Sequence, residues 1–214
     1  MAVLLLTAPG VLVARAGGVR GPMAVAVAPV LTYGIVALAI VPFGAVGIPW
    51  NAWSAAAVLT AVSGALYGFR VLLRRRRRAP DPAGSRGLDP PALAAAAAVL
   101  LGTVLIGLAA WRGLPHWQSI PSNWDSVWHA NTIRWILDTG QASPTHMGEL
   151  RNVETKAPLY YPSAFHALAA VFAQLTGAAP TTAYTLSSLA AAVWLFPLSA
   201  ALLTWNLLID RTTR

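Results

Sequence analysis

The residues that could do chemistry are concentrated in one polar segment, residues 112–157. Four of the seven acidic residues and three of the four histidines lie there. A carboxylate can take a proton from an attacking hydroxyl, and carboxylates and imidazoles can also ligate a metal ion. A loop of 46 residues is longer than a connector between helices needs, and loops of this length are usually functional or disordered. Its tryptophans argue against disorder. We therefore place the candidate site in this segment.

The centre of the segment, residues 123–139, has the pattern of an amphipathic helix. Ser122 or Asn123 can cap its start and Gly140 can end it. At about 100° per residue, three indoles share one stripe of this helix. The pattern predicts an interfacial helix that lies on the membrane surface with its indoles at head-group depth. These indoles belong to Trp124, Trp128 and Trp135.

Asp125 and His129 lie one turn apart on a neighbouring face of this predicted helix. Asp125 is either a first-turn acid that the helix dipole favours, or a general base or metal ligand directed at a substrate in the membrane. His129 is either a solvated helix residue or the partner of that carboxylate. We take Asp125 and His129 as the candidate catalytic residues.

Basic and aromatic residues supply candidate contacts to a substrate. Arg134 lies four residues before Asp138, a spacing that favours a surface ion pair, although its guanidinium also suits phosphate oxygens. His166 falls about one turn inside the next apolar segment, where ionisable groups usually face a cavity or a partner. The candidate substrate-binding residues are Arg134, Arg151, Lys156, Tyr161 and His166.

A divalent metal ion is the one cofactor that this segment could hold. His146 and Glu149 could add two ligands to a carboxylate and an imidazole, although Gly148 between them favours a turn and a simple loop contact. The chain has no cysteine, which excludes a disulfide, a thiol nucleophile and a Cys-ligated zinc. The candidate metal ligands are Asp125, His129, His146 and Glu149.

The elements that must position these residues are apolar helices. Of the 214 residues, 57% are hydrophobic and 10% are charged, against about 25% charged in soluble domains. This composition excludes a soluble globular protein and a disordered chain. It predicts an all-α polytopic transmembrane helical bundle of five to six spans with one long exterior loop.

Met1–Ala14 is short, and we expect an abbreviated helix there, with a cleaved signal as the alternative. The predicted order is transmembrane helices within 1–73, a basic loop 74–90, a span 91–111, the exterior loop 112–157, two spans within 158–209 and a tail 210–214.

The arginines predict the orientation. The net charge is +8, and Arg74–Arg78 directly follow an apolar stretch. Such clusters mark the cytoplasmic side and contact anionic lipid head groups, so we do not expect nucleic-acid binding. We therefore predict a multi-pass protein of the cell membrane with loop 112–157 on the exterior. Arg211 and Arg214 in the tail oppose this arrangement.

Three motifs together resemble polytopic glycosyltransferases of the GT-C superfamily. They are Trp124-Asp125 followed by His129, the turn Asp138-Thr139-Gly140, and the helix entry Tyr161-Pro162. The stretches NWDSVWHANTIRWILDTG and YYPSAFHALAAVF are also similar to an uncharacterised family of large membrane proteins from high-GC bacteria. The resemblance covers about residues 95–176.

The resemblance implies a function. GT-C enzymes transfer a sugar from a polyprenyl-phosphate carrier outside the cytoplasmic membrane, and an acid in the first exterior loop commonly serves as base or metal-site residue. Asp125 occupies that position here, and His129 matches the histidine that often follows it. GT-C proteins usually have nine or more spans, so this chain is expected to be such an enzyme or its N-terminal part. The alternative is a non-catalytic membrane scaffold or a transporter component.

Overall fold

The computed structural model describes residues 1–76, 90–205 and 207, and all regular structure in these ranges is helical. The predicted all-α class is therefore confirmed. A 3₁₀ turn, Pro144–His146, precedes α6, and a π-helical segment, Ala191–Leu195, joins α8 to α9. The helices are α1 Ala2–Gly17, α2 Pro22–Val46, α3 Ala52–Arg76, α4 Pro90–Gly113, α5 Trp124–Thr139, α6 Gly148–Arg151, α7 Ala164–Thr176, α8 Pro180–Ala190 and α9 Phe196–Thr204.

Four of the described helices are long and apolar enough to cross a membrane. They are α2, α3 over Ala52–Leu73, α4 over Ala92–Gly113, and the continuous stretch Pro180–Thr204 that contains α8 and α9. A helix of 25 residues is about 37 Å long, which exceeds the ~30 Å of a bilayer core. The predicted count of five to six spans is not confirmed, because α1 and α7 have only 16 and 13 residues.

Helix α7 is a short central helix, although the sequence predicted a span in this region. Residues 158–163 are not helical, and every residue from His166 to Ala173 is buried. Helices α1, α2, α3, α5 and α8 all contact α7. A short helix that is apolar on all sides belongs in the interior of a protein. The hydropathy of this stretch therefore reflects burial among other helices.

One end of the bundle gathers three arginines. Helices α1 and α2 pack so closely at Gly10 that a Cβ atom there would overlap the backbone of Ala28. A glycine at this position allows the close approach. The chain turns between them, and the Arg70 guanidinium at the far part of α3 donates from Nη1 to the Arg15 carbonyl oxygen over 3.1 Å. Arg20 lies in the same turn region. We call this side, with Arg15, Arg20 and Arg70, the arginine end.

The polar segment covers the opposite end of α2. The backbone N–H of Trp50, in the turn between α2 and α3, donates to the Gly140 carbonyl oxygen over 2.7 Å. The Gln141 side-chain amide reaches the Gly44 carbonyl oxygen over 3.5 Å. The candidate site and the arginine end therefore lie at opposite ends of α2. We call residues 114–163 the polar layer.

The basic loop and the tail fall largely outside the described residues. The α3 backbone continues to Arg76. The side chains of Arg74–Arg78, the loop through residue 89 and the tail 210–214 lie outside what the structure describes. Lipid contact by Arg74–Arg78 stays a prediction.

A proline inside a helix favours a kink, and the structure has an irregularity directly before Pro197. The π-helical segment ends at Leu195, two residues before Pro197. Because proline has no N–H, the Val193 carbonyl cannot form its usual α-helical bond to Pro197. The Thr103 hydroxyl of α4 donates to that carbonyl oxygen over 2.7 Å. A neighbouring helix thus satisfies the backbone group that the proline leaves open.

Candidate functional site

Helix α5 carries the candidate catalytic residues and is capped at both ends. The Asn123 side-chain oxygen accepts from the Ser126 backbone N–H over 2.9 Å. Gly140 ends the helix in the left-handed region at φ 71°, and its N–H donates to the Ile136 carbonyl oxygen. Asn123 is thus the N-cap, and Gly140 is the C-cap that the sequence predicted.

Helix α5 is held by its aliphatic face. Ala130, Ile133 and Ile136 are buried, and the helix packs against α7 and α8. The side chain of Trp124 is 89% exposed, whereas Trp128 is half-buried. The indole stripe is therefore divided between the protein and its surroundings, and the expected surface helix is largely built into the bundle.

Gly140 also fixes the position of α5 on the bundle. A Cβ atom at this residue would lie 2.7 Å from the Pro49 Cβ atom. Beyond it, the Ser163 hydroxyl donates to the Ala142 carbonyl oxygen over 2.6 Å, and both residues are buried. These contacts fix the position of the end of α5 relative to the start of α7.

His129 of α5 and His166 of α7 form a hydrogen-bonded pair. The His129 Nδ1 atom lies 2.7 Å from the His166 Nε2 atom, and the two rings are stacked with centroids 5.0 Å apart. Each neutral imidazole has one N–H and one acceptor nitrogen. One ring therefore donates to the other, and this bond leaves His129 Nε2 and His166 Nδ1 outside it.

Aromatic rings enclose the pair. Tyr184 of α8 stacks on the other face of His129 with centroids 5.4 Å apart, and Phe165 meets the same ring edge-on at 6.2 Å. Tyr161 lies against His166 at 5.9 Å, and Trp128 packs edge-on against Tyr161. The surroundings of the two imidazoles are therefore largely apolar.

Burial disfavours the protonated form of both imidazoles. Burial is the larger of two causes that lower the pKa of His166 from 6.5 to about 3, and the neighbouring His129 is the smaller one. Burial also lowers the pKa of His129, while the negative charge of Asp125 opposes this effect. His166 is only 2% exposed. Its Nδ1 atom is buried and has no hydrogen-bond partner among the described residues.

Asp125 lies in the first turn of α5, at the outer edge of the pair. Its side chain is exposed, and its charge acts on His129. The predicted catalytic residues are therefore electrostatically coupled. The carboxylate faces the surroundings, whereas the imidazoles extend from it into the protein.

The predicted substrate-binding residues are placed differently from one another. His166 is buried in the pair, and Tyr161 is partly buried beside it. The Arg134 Nε atom donates to the Asp138 carboxylate over 2.7 Å, so the expected ion pair is present and exposed. Arg151 and Lys156 are exposed in the polar layer. The structure brings Tyr161 and His166 to His129, and the roles of the three basic residues stay predictions.

The candidate metal ligands do not come together. Within residues 1–76, 90–205 and 207, no group of three or more acidic or histidine side chains could hold a metal ion. The His146 ring hydrogen-bonds to its neighbour Thr145 over 3.1 Å, and Glu149 is exposed on α6. No step below depends on a metal.

Tyr184 and Ser126 are site residues that sequence reasoning missed. The Tyr184 hydroxyl lies 3.5 Å from the Ser126 Oγ atom, at the outer limit of a hydrogen bond. Tyr184 lies 55 residues beyond His129 in the chain. A lone tyrosine near the start of an apolar helix suggested only interfacial placement. Only the packing of α8 against α5 reveals the contact.

The fold and the site define, over the described residues, an all-helical protein with four helices long and apolar enough to cross a membrane and a polar layer at one end. The chain matches, over residues 3–214, the model of DUF6541, a family of unknown function, and it belongs to that family. A search of curated proteins and a search of solved structures found no match.

Proposed function

We propose that this protein is a GT-C-like membrane glycosyltransferase, or the N-terminal part of one, that uses a polyprenyl-phosphate sugar on the exterior face of the cytoplasmic membrane. The observation that supports it best is the buried His129–His166 pair, with Asp125 acting on it from the adjacent turn. Two of the three motifs of the resemblance contribute to this pair, because the first contains His129 and Tyr161 of the third lies against His166.

The histidine pair lowers the stability of the folded chain more than a purely structural contact at this place would. An unsatisfied buried polar atom costs about 1–3 kcal/mol, and the Nδ1 atom of His166 is such an atom in the described part of the chain. Two phenylalanines would fill this aromatic space without that cost. Titratable groups with strongly shifted pKa values cluster at functional sites. The cost of the pair therefore supports a working site.

The proposed reaction needs one base and one cationic contact. The acceptor hydroxyl loses its proton to the Asp125 carboxylate as its oxygen bonds to the anomeric carbon of the sugar. The bond from that carbon to the phosphate oxygen breaks, and polyprenyl phosphate leaves with the electron pair. Arg151 and Lys156 are the exposed cations that would bind the phosphate. His129, one turn further along α5, is electrostatically coupled to this base.

The proposed orientation places the polar layer outside the cell. The arginine end and the polar layer lie at opposite ends of α2. The positive-inside rule assigns the arginine end to the cytoplasm. A substrate with a polyprenyl tail would then approach the polar layer from the outer leaflet.

The test uses full-length protein in nanodiscs and radiolabelled polyprenyl-phosphate mannose, glucose and arabinose. We expect Asp125→Asn to lower label transfer at least ~100-fold, because general-base catalysis contributes about 10²–10⁴-fold. Glu154→Gln is the matched control, since Glu154 is also an exposed acid of the polar layer. Unchanged turnover in Asp125→Asn, or an equal loss in Glu154→Gln, would contradict the proposed base.

A non-catalytic membrane scaffold or transporter component is the second candidate. The ion pair of Arg134 with Asp138 favours it, because that guanidinium is already engaged by a carboxylate. This alternative predicts that the wild-type protein transfers sugar from none of the three polyprenyl-phosphate sugars. Consumption that depends on Asp125 would exclude it.

A further inference from the structure

Exposed tryptophans lie where two long apolar helices meet the polar layer. Trp53 is in the first turn of α3 and Trp111 is in the last turn of α4, and these residues are 84% and 68% exposed. Trp50 differs from them, because its indole N–H donates to the Ala167 carbonyl oxygen over 3.0 Å and its ring is buried. Trp53 and Trp111 therefore project from the bundle, whereas Trp50 belongs to its core.

The segment that follows α4 continues this exposed aromatic surface. The ring of Trp117 is exposed and packs against Trp111, with centroids 5.7 Å apart. Two residues further on, the Ser119 carbonyl oxygen accepts from the Thr185 hydroxyl over 2.7 Å. Thr185 lies in the second turn of the apolar stretch Pro180–Thr204, which is long enough to cross a membrane. The segment is therefore held at the level where that stretch begins.

The start of α5 is held at the same level. The Ser126 Oγ atom lies 3.5 Å from the hydroxyl of Tyr184, the residue before Thr185, and the Tyr184 ring stacks on His129. Trp124 precedes Ser126 by two residues and is exposed. Its indole therefore lies at the same end of the long apolar helices as the other three exposed indoles.

We propose that Trp53, Trp111, Trp117 and Trp124 form an aromatic belt that binds the lipid head-group region of the leaflet next to the polar layer. Indole combines a large apolar ring with one N–H donor, and it is enriched where the hydrocarbon core meets water. Helices α3 and α4 present unburied apolar surface along most of their length in the described structure. Lipid tails that cover this surface bring head groups to the helix ends, where Trp53 and Trp111 lie.

The belt determines the depth of the polar layer. Trp117 and Trp124 lie outside the long apolar helices, so their contact with head groups holds the first part of the polar layer at the lipid surface. Asp125 directly follows Trp124 and is exposed, and the belt places its carboxylate at this surface. The belt follows from the span ends alone, so it depends neither on the proposed function nor on which face of the membrane the polar layer occupies.

The test measures the depth of nitroxide labels on the full chain, which has no native cysteine, in nanodiscs of phosphatidylcholine and phosphatidylglycerol. Labels at Trp117→Cys and Trp124→Cys are compared with Leu101→Cys, an exposed residue midway along α4, and with Glu154→Cys, an exposed acid of the polar layer. Collisions with oxygen, which concentrates in lipid, and with a water-soluble nickel chelate report the depth. We expect oxygen-to-nickel ratios at Trp117→Cys and Trp124→Cys between the low value at Glu154→Cys and the high value at Leu101→Cys.

Two results would overturn the belt. A ratio equal to that of Glu154→Cys would place the segment in water, and rare collisions with both reagents would show that protein covers it. Val127→Cys, an exposed residue one turn after Trp124, keeps all four indoles and should give the same intermediate ratio. Thermal unfolding of each labelled variant checks that the fold is unchanged.

A series along α3 tests the belt at a helix end. Trp53, Ala57 and Ala61 are exposed and follow one face of the helix at intervals of four residues. The oxygen-to-nickel ratio should rise from Trp53→Cys through Ala57→Cys to Ala61→Cys, because eight residues of helix carry the label about 12 Å deeper. An equal ratio at all three positions would contradict the placement of Trp53 at the lipid surface.

Discussion

His166 is the most constrained residue of the site. It is 2% exposed, bonded to His129 through Nε2, and surrounded by aromatic rings. A proton added to this ring would place a charge in an apolar interior, next to a second imidazole. The groups that face it are His129 on α5 and Tyr161, with Asp125 acting through His129. Acid should therefore weaken the fold at this position.

The first prediction concerns pH and stability. The pKa of His166 is about 3 in the folded chain against 6.5 for an ordinary histidine. Between these values the unfolded state binds the proton and the folded state does not, so the stabilisation is complete above pH 6.5 and is lost as pH falls towards 3. We expect the melting temperature of the wild type to fall from pH 7.5 to pH 5.0, and that of His166→Gln to fall less. Tryptophan fluorescence during heating measures both, and parallel curves would contradict the prediction.

The second prediction separates the ring of Tyr184 from its hydroxyl. The hydroxyl is 3.5 Å from Ser126 Oγ, whereas the ring stacks on His129 at 5.4 Å. Tyr184→Phe should change the free energy of unfolding by less than about 0.5 kcal/mol. Tyr184→Ala should cost about 2 kcal/mol or more, because it removes a packed aromatic side chain. Chemical denaturation of the two variants measures this, and equal costs would refute the stacking role.

At the scale of elements, the end of α5 determines where the site lies. Gly140 combines a positive φ with close approach to Pro49. The third prediction is that Gly140→Ala destabilises the protein by more than about 1 kcal/mol, since alanine is strained at this φ and its Cβ atom clashes. Gly64→Ala is the control, because a Cβ atom there meets nothing within 4 Å. If the control lost as much stability, the close contact of Gly140 would not be the cause.

The fourth prediction concerns the contact between α4 and α9. Thr103→Val removes the hydroxyl that donates to the Val193 carbonyl oxygen. An acceptor left without a partner away from water costs about 1–3 kcal/mol. We expect this loss in thermal or denaturant unfolding. Thr60→Val, an exposed threonine of α3, is the control. A Thr103→Val variant as stable as the wild type would show that the π-helical segment satisfies that carbonyl itself.

Hydropathy and capping residues predicted much of the fold. The long apolar runs gave spans close to α2, α3 and α4, and Asn123 and Gly140 marked the ends of α5. Helix α7 was misread, because an apolar run alone does not distinguish burial in lipid from burial among helices. That distinction depends on the neighbours that tertiary packing supplies.

Part of the site was also accessible from the sequence. His129 was identified by its position one turn after Asp125 on a predicted helix, and His166 because ionisable groups just inside an apolar segment usually face a cavity or a partner. Their mutual bond, across 37 positions of the chain, could not be predicted from spacing within one helix. Tyr184 was missed for the same reason, because its contact depends on how α8 packs against α5.

At the scale of the whole molecule, charge is divided between two ends. Arg15, Arg20 and Arg70 gather at the arginine end, while the polar layer holds the four described acids and the histidine pair at the other. Helix α2 separates the two ends by a length of about 37 Å. The proposed reaction requires the polar layer to lie outside the cell.

Cysteine labelling of intact cells tests the central claim most directly, because the chain has no native cysteine. The fifth prediction is that a membrane-impermeant maleimide labels Val153→Cys, an exposed residue of the polar layer, without permeabilisation. Gly17→Cys, at the arginine end where a side chain meets open space, should react only after permeabilisation. Labelling of Gly17→Cys but not Val153→Cys in intact cells would place the histidine pair on the cytoplasmic side and contradict the proposed exterior site.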